Sequence, residues 1–335
     1  MSDENKPKSL FGMISKAAGD LVSQGGKVLQ DAGKAVGDLG QKAGELADSA
    51  KNQVIKTLDV NGSGQVDLED FIILGLRTPG IGINRESYLR SEFQKTFPQD
   101  VIDAAVKETP AKAGITVDQI DKLADQAITY ERNCVTGIST ALGIPGGAAM
   151  VATVPSDMIQ YYGFMLRAAQ KLLYLYGFPQ IDVNEKENVF DSETLNMMTL
   201  CLGVMFGVSG ANQALRVIAN ALGKGVEKKL INKALTKGFV YPMVKKIASW
   251  FGKNMTKKVF AGFFKKAIPV VGGLIGGGIT YLSFGPCCYK LRDSLHDTIL
   301  SNPDAASTDD DFDPDAPIPG IDDDPEDEVP ETEDE

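Results

Sequence analysis

The chain has one histidine, His296, in 335 residues. That excludes a metal site built on paired imidazoles and any mechanism that needs two histidines. No P-loop, dinucleotide glycine fingerprint, nucleophile elbow or His-Glu-x-x-His pair occurs. The chain therefore reads as non-enzymatic. Its four cysteines, Cys134, Cys201, Cys287 and Cys288, stand in apolar stretches without the spacing of a zinc site or a disulfide framework. They are expected to be buried small hydrophobes in a reducing compartment, rather than a reactive or lipidated pair. The opening MSDENKPK leads into no apolar signal-peptide core. The expected location is cytoplasmic, with a peripheral place at the inner face of a membrane.

Charge of one sign is missing from two long stretches. Residues 303–335 hold sixteen Asp and Glu and no Lys or Arg. From Arg216 to Arg292, fifteen Lys and Arg meet one acid, Glu227. The net charge of −11 thus hides a body at +5 over residues 1–302. The acidic, Pro-rich end reads as a disordered tail. It is expected either to lie over the basic 216–292 surface or only to solubilise the chain. Within 224–266, short amphipathic helices carry Lys on one side and Leu, Ile, Phe and Trp250 on the other. Such a face suits an anionic membrane surface; it also suits a solvated cover over the domain's own core. No nucleic-acid motif accompanies the charge.

Three runs lack charge altogether: residues 133–156, 194–215 and 267–289. Each reaches the ~20 residues that a bilayer needs. GIPGG breaks the first, and a glycine cluster and Pro286 break the third. All three read as buried helices or hairpins that cross closely at small residues. Residues 84–133 read as polar amphipathic helices broken near Pro98 and Pro110. Thr116 and Gln119 form a capping-box pattern there. In the aromatic segment 156–177, Ser156 or Asp157 is expected to cap the helix and Gly177 to end it.

What is present begins with a rhythm. Leu10, Ile14, Ala17, Leu21, Gly25, Val28 and their successors to Val54 and Leu58 repeat with 4-3-4 spacing. This eleven-residue period gives ~3.67 residues per turn, a nearly straight helical stripe. Eight glycines weaken it, each by about 1 kcal/mol relative to Ala. The segment is expected to become helical only on a surface: lipid, a partner or its own body. A mostly disordered segment is the other reading.

The stripe runs into LDVNGSGQVDLEDF. Counted from Asp59, this stretch places Asp59, Asn61, Ser63, the Gln65 carbonyl, Asp67 and Asp70 at positions 1, 3, 5, 7, 9 and 12 of an EF-hand loop. Gly64 falls at the sharp turn, position 6. These six residues are the candidate Ca2+ ligands. Asp at position 12 and Asp-x-Asn at the start resemble one half of a dockerin repeat. The alternative is a Gly-rich turn opening a helix capped by Asp67.

TGISTALGIPGG, PSDMIQYYGFMLRAAQKLLYLYG and IPVVGGLIGGGITYLSFGPCCYKLRDSL resemble the bacterial EcsC family over about residues 85–298. The resemblance implies an all-helical domain. It implies no defined chemistry but an accessory role near a membrane, since the family takes its name from a component associated with an ABC-transporter system. The resulting expectation is an all-α protein in four parts. Residues 1–58 form the amphipathic segment, 59–83 the calcium loop and exit helix, 84–302 the EcsC-like domain, and 303–335 the acidic tail. Calcium would set the orientation of the N-terminal segment, and the partner would be an anionic membrane surface or a membrane protein such as a transporter. The alternatives are a soluble scaffold with a constitutive structural calcium and a membrane-inserting effector.

Overall fold

The computed structural model describes residues 58–143, 149–181, 190–238, 240–254 and 277–304, with side chains at all of these except 139–158, 253–254 and 277–279. The eleven-residue stripe up to residue 57, the Lys-rich stretch 255–266, the start of the third uncharged run and the acidic residues 305–335 lie outside the described residues. Among the described residues the protein is all-α, with ten helices and no strand. In chain order they are α1 (Leu68–Arg77), α2 (Arg85–Phe93), α3 (Gln99–Lys107), α4 (Val117–Gly143) and α5 (Ala149–Leu175). Then come α6 (Ser192–Phe206), α7 (Ala211–Gly223), α8 (Lys228–Thr236), α9 (Val240–Asn254) and α10 (Gly277–His296).

Local chemistry sets many of the boundaries. The Thr116 backbone N–H donates to Gln119 Oε1 at 3.0 Å, and the Gln119 N–H donates to Thr116 Oγ1 at 3.4 Å, a reciprocal box that opens α4. Asn84 caps α2 and Asp191 caps α6. The first uncharged run divides between α4 and α5, on either side of residues 144–148. The second bends between α6 and α7, where Gly207 and Gly210 take positive φ. At the end of α5, Gly177 takes φ 97, and the Phe178 N–H returns to the Leu173 carbonyl at 2.9 Å.

One expectation fails. Ser156 and Asp157 do not open the aromatic helix; α5 begins at Ala149 and continues through both. Hydroxyl and carboxylate side chains favour helix starts only as a local bias. A long packed helix overrides that bias.

α5 is the central element. It packs on α1, α2, α4, α6 and α10. Tyr161, Tyr162, Phe164, Tyr174 and Tyr176 are all buried, so the aromatic belt builds the core. Tyr162 meets Phe71 of α1 at 5.5 Å, Phe206 of α6 at 6.1 Å and Phe251 of α9 at 6.2 Å, measured between ring centroids. Cys201, Cys287 and Cys288 are buried and Cys134 is partly so. Leu58, Leu68, Phe71, Ile72 and Leu76, which lie within or beside the candidate loop, belong to the same core. No helix among the described residues is long and apolar enough to cross a membrane.

Candidate metal site

The loop 59–70 is held by its own side chains. Gly62 and Gly64 take φ 75 and 82, a left-handed conformation that glycine adopts without strain. Those two turns fold the loop over its first carboxylate. Asp59 Oδ1 accepts the Ser63 N–H at 3.0 Å, and Oδ2 accepts the Gly64 N–H at 2.8 Å. Ser63 Oγ lies 2.9 Å from the Gln65 carbonyl oxygen and 3.5 Å from Asp67 Oδ2. Asn61 Nδ2 stands 3.3 Å from both Asp67 oxygens.

The spacing of these oxygens bears on a cation. Ligands held 2.3–2.6 Å from one ion, and about 75–90° apart around it, lie roughly 2.8–3.7 Å from each other. Ser63 Oγ stands at such a distance from both the Gln65 carbonyl oxygen and Asp67 Oδ2, a spacing compatible with a hard, oxygen-seeking ion.

Asp70 is arranged differently. It is fully buried, and both its oxygens accept backbone N–H groups. Oδ1 takes Val60 at 2.8 Å and Asn61 at 3.1 Å, while Oδ2 takes Asp67 at 2.9 Å. Asp67 in turn accepts the Asp70 N–H, closing a capping box at the start of α1. Asp70 therefore ties the two ends of the loop together, and Asp67 caps the helix. Among the described residues no three His, Cys, Asp or Glu side chains gather closely enough to form a metal cluster by themselves. The oxygens that do gather include a hydroxyl and a carbonyl. Burial raises the Asp70 carboxyl above its usual range, against the pull of its three N–H partners. Glu69 is raised as well, by burial first and then by Asp67 and Asp70.

The loop is locked to the body on its far side. Three polar groups of α5 hold the segment that follows α1. The Arg167 guanidinium donates to the Gly80 carbonyl. Gln170, fully buried, accepts the Ile83 N–H at 3.0 Å and donates to the Ile81 carbonyl at 3.2 Å. Tyr174 donates to the Ile83 carbonyl at 3.3 Å.

Behind this lies a buried ion cluster that sequence reasoning missed. Glu131 of α4 is fully buried, and its Oε1 meets Arg167 Nε at 2.9 Å and Lys171 Nζ at 2.6 Å. Lys171 Nζ also sits 4.9 Å above the Tyr130 ring and 5.2 Å above Tyr88. A signal was present: Ala124, Ile128, Glu131, Val135 and Ile138 follow 4-3-4-3 spacing, and all are buried. A charge on such a stripe has to be partnered.

Other polar sites are structural ties. His296 Nδ1 lies 2.9 Å from Asp121 Oδ2, whose other oxygen accepts the Tyr176 hydroxyl, joining α10, α4 and the end of α5. An open cleft of about 520 Å³ lies between α2, the end of α3 and Leu300. The Arg85 guanidinium at this cleft donates to the carbonyls of Phe178, Ala105, Val106 and Glu108. Burial pushes the Cys201 thiol up to about 12 and the Cys287 thiol up to about 11, so neither is a ready nucleophile at neutral pH. Set against protein-family models, curated proteins and solved structures, the chain matches none of them.

Proposed function

We propose that this chain is a calcium-binding, non-enzymatic accessory or regulatory protein that works at a membrane surface. The observation that carries the proposal is the oxygen spacing in the loop, where Ser63 Oγ stands 2.9 Å from the Gln65 carbonyl and 3.5 Å from Asp67. Asp59, Asn61, Ser63, the Gln65 carbonyl and Asp67 would hold the ion, and Asp70 would complete the set at the loop's end. Bound calcium supplies positive charge where these oxygens crowd together. With three carboxylates and two neutral side-chain ligands, the affinity expected is on the order of 10⁻⁵ to 10⁻³ M.

Leu58, one residue before the loop, is buried in the core. Residues 1–57 are therefore joined to the body at a point one residue from the loop. An ordered loop would fix the angle at that point, and so present or withdraw the amphipathic stripe of residues 1–58. The membrane part of the reading is supported by the lysines of α8 and α9.

The test is flotation of the full chain on anionic liposomes, with calcium or with chelator. Flotation that changes with calcium, and no longer does so in Asp59→Ala/Asp70→Ala, supports the proposal. A calcium response that survives the double substitution removes the loop from the mechanism.

A second reading is favoured by the tight seat of α1 on α5. A Cβ on Gly75 would stand 3.3 Å from the Gly163 Cα. A loop so firmly mounted suits a constitutive brace, with the chain acting as a helical scaffold. Chelation would then lower thermal stability and leave flotation unchanged.

A further inference from the structure

Leu300 packs on the end of α7, where a Cβ added to Gly223 would stand 2.6 Å from the Leu300 backbone nitrogen. The Ile299 N–H donates to Asn220 Oδ1 at 2.9 Å, and Arg216 reaches the Asp297 carbonyl at 3.3 Å. Leu300 also lines the same cleft as Leu222 and Lys228. Residues 305–335 therefore start beside the junction of α7 and α8.

That junction opens a basic face. Lys224, Lys228, Lys229, Lys233 and Lys237 are all exposed, and the one acid among them is Glu227. Leu230, on the same helix, is 39% exposed. Residues 305–335 carry fifteen acids and no base, and the first cluster reads DDDFDPD from Asp309 to Asp315. Asp309 follows Asp304 by five residues, an extended reach of roughly 17 Å. α8 has nine residues and is therefore about 14 Å long. The acidic cluster can lie along the whole helix without a long linker.

We infer that residues 309–315 dock on the lysines of the α7–α8 junction in the same chain, with Phe312 placed to cover Leu230. The acids are tethered at the helix they complement. A short flexible tether gives an effective concentration in the millimolar range, which weak charge pairs need to stay together. Screening over ~8 Å at physiological salt leaves direct contacts intact and removes more distant attraction. A free anionic partner reaches this face only by displacing the segment. This inference depends neither on calcium nor on membrane binding.

A zero-length carbodiimide crosslink on the full-length protein, without calcium or lipid, tests it. The expected product is a monomer with links from Asp309–Asp315 to Lys224, Lys228, Lys229 or Lys233, lost at 0.5 M salt, an ionic strength at which the screening length falls to roughly 4 Å. Lysine acetylation rates give a second readout. In a chain with Asp309→Asn, Asp310→Asn, Asp311→Asn, Asp313→Asn and Asp315→Asn, those lysines should react roughly threefold faster or more, and Lys112 should not change. Three results overturn the proposal. One is links only between two chains, which makes a second copy the occupant. Another is links mainly to Lys107 or Lys112. The third is acetylation rates that the Asn variant leaves unchanged, which frees the face for an external anionic surface.

Discussion

Gly75 of α1 and Gly163 of α5 cross backbone to backbone: a Cβ on Gly75 would lie 3.3 Å from the Gly163 Cα and 3.0 Å from Leu166 Cδ1. The helix leaving the candidate loop is thereby pressed onto the central helix of the fold. Gly75→Val adds three carbons at this crossing. Overpacking of this kind costs about 1–3 kcal/mol, and the helix-propensity gain over Gly is too small to offset it. The melting temperature should fall by roughly 4–8 °C for 2 kcal/mol in a domain of this size. Calorimetry showing no loss would mean that α1 can lift off α5.

Glu131 is buried against two cations of one helix, Arg167 and Lys171. Glu131→Ala leaves both charges without their carboxylate and should cost about 3–5 kcal/mol in denaturant unfolding. Replacing all three groups together, as Glu131→Leu/Arg167→Met/Lys171→Met, should recover most of that loss. A single substitution costing under 1 kcal/mol would show that the cluster relaxes into solvent.

Asp67 accepts the Asp70 N–H as the cap of α1. Its contribution does not require a metal. In metal-free buffer, Asp67→Ala should lower stability by about 1 kcal/mol. Equal stability of the two proteins in that buffer would deny the cap any role in the fold.

Burial holds the Asp70 and Glu69 carboxyls above their usual range. A carboxyl with a raised folded pKa destabilises the fold while it is ionised, and that penalty disappears as pH falls through the folded value. An ion needs the ionised ligands. The rise in melting temperature produced by calcium should therefore shrink from pH 7 to pH 5, earlier than for ordinary carboxylates. Scans at pH 7, 6 and 5, with calcium and without metal, measure it. A calcium increment that is constant down to pH 5 would exclude Asp70 from the binding equilibrium.

Burial raises all four thiols, and Cys134 is the least enclosed. Maleimide at neutral pH should label the folded protein at Cys134 alone, and the unfolded protein at four positions. Fast labelling of Cys287 or Cys288 in the native state would show that α10 opens.

Much of the local structure was legible in residue patterns. Gly64 takes the left-handed turn that the loop pattern places at its sixth position, because no side chain obstructs it. Thr116 and Gln119 cap α4 because their donors and acceptors sit three residues apart, a distance that does not depend on the rest of the fold. The turns at Gly207 and Gly210, which divide the second uncharged run, rest on the same short-range chemistry.

The sequence by itself determined the all-helical class, the turn at Gly64 and the helix ends at Thr116 and Gly177, since each rests on contacts within a few residues. Only the tertiary structure decided the rest. It carried α5 back to Ala149 past Ser156 and Asp157, because packing along a long helix outweighs a local capping preference. It brought Gly75 against Gly163, 88 positions away in the chain, and Glu131 between Arg167 and Lys171. It also buried the Asp70 carboxylate and gave it three backbone N–H groups to accept. Desolvation and close approach belong to neighbours that the chain supplies from far away, and no local pattern of residues specifies them.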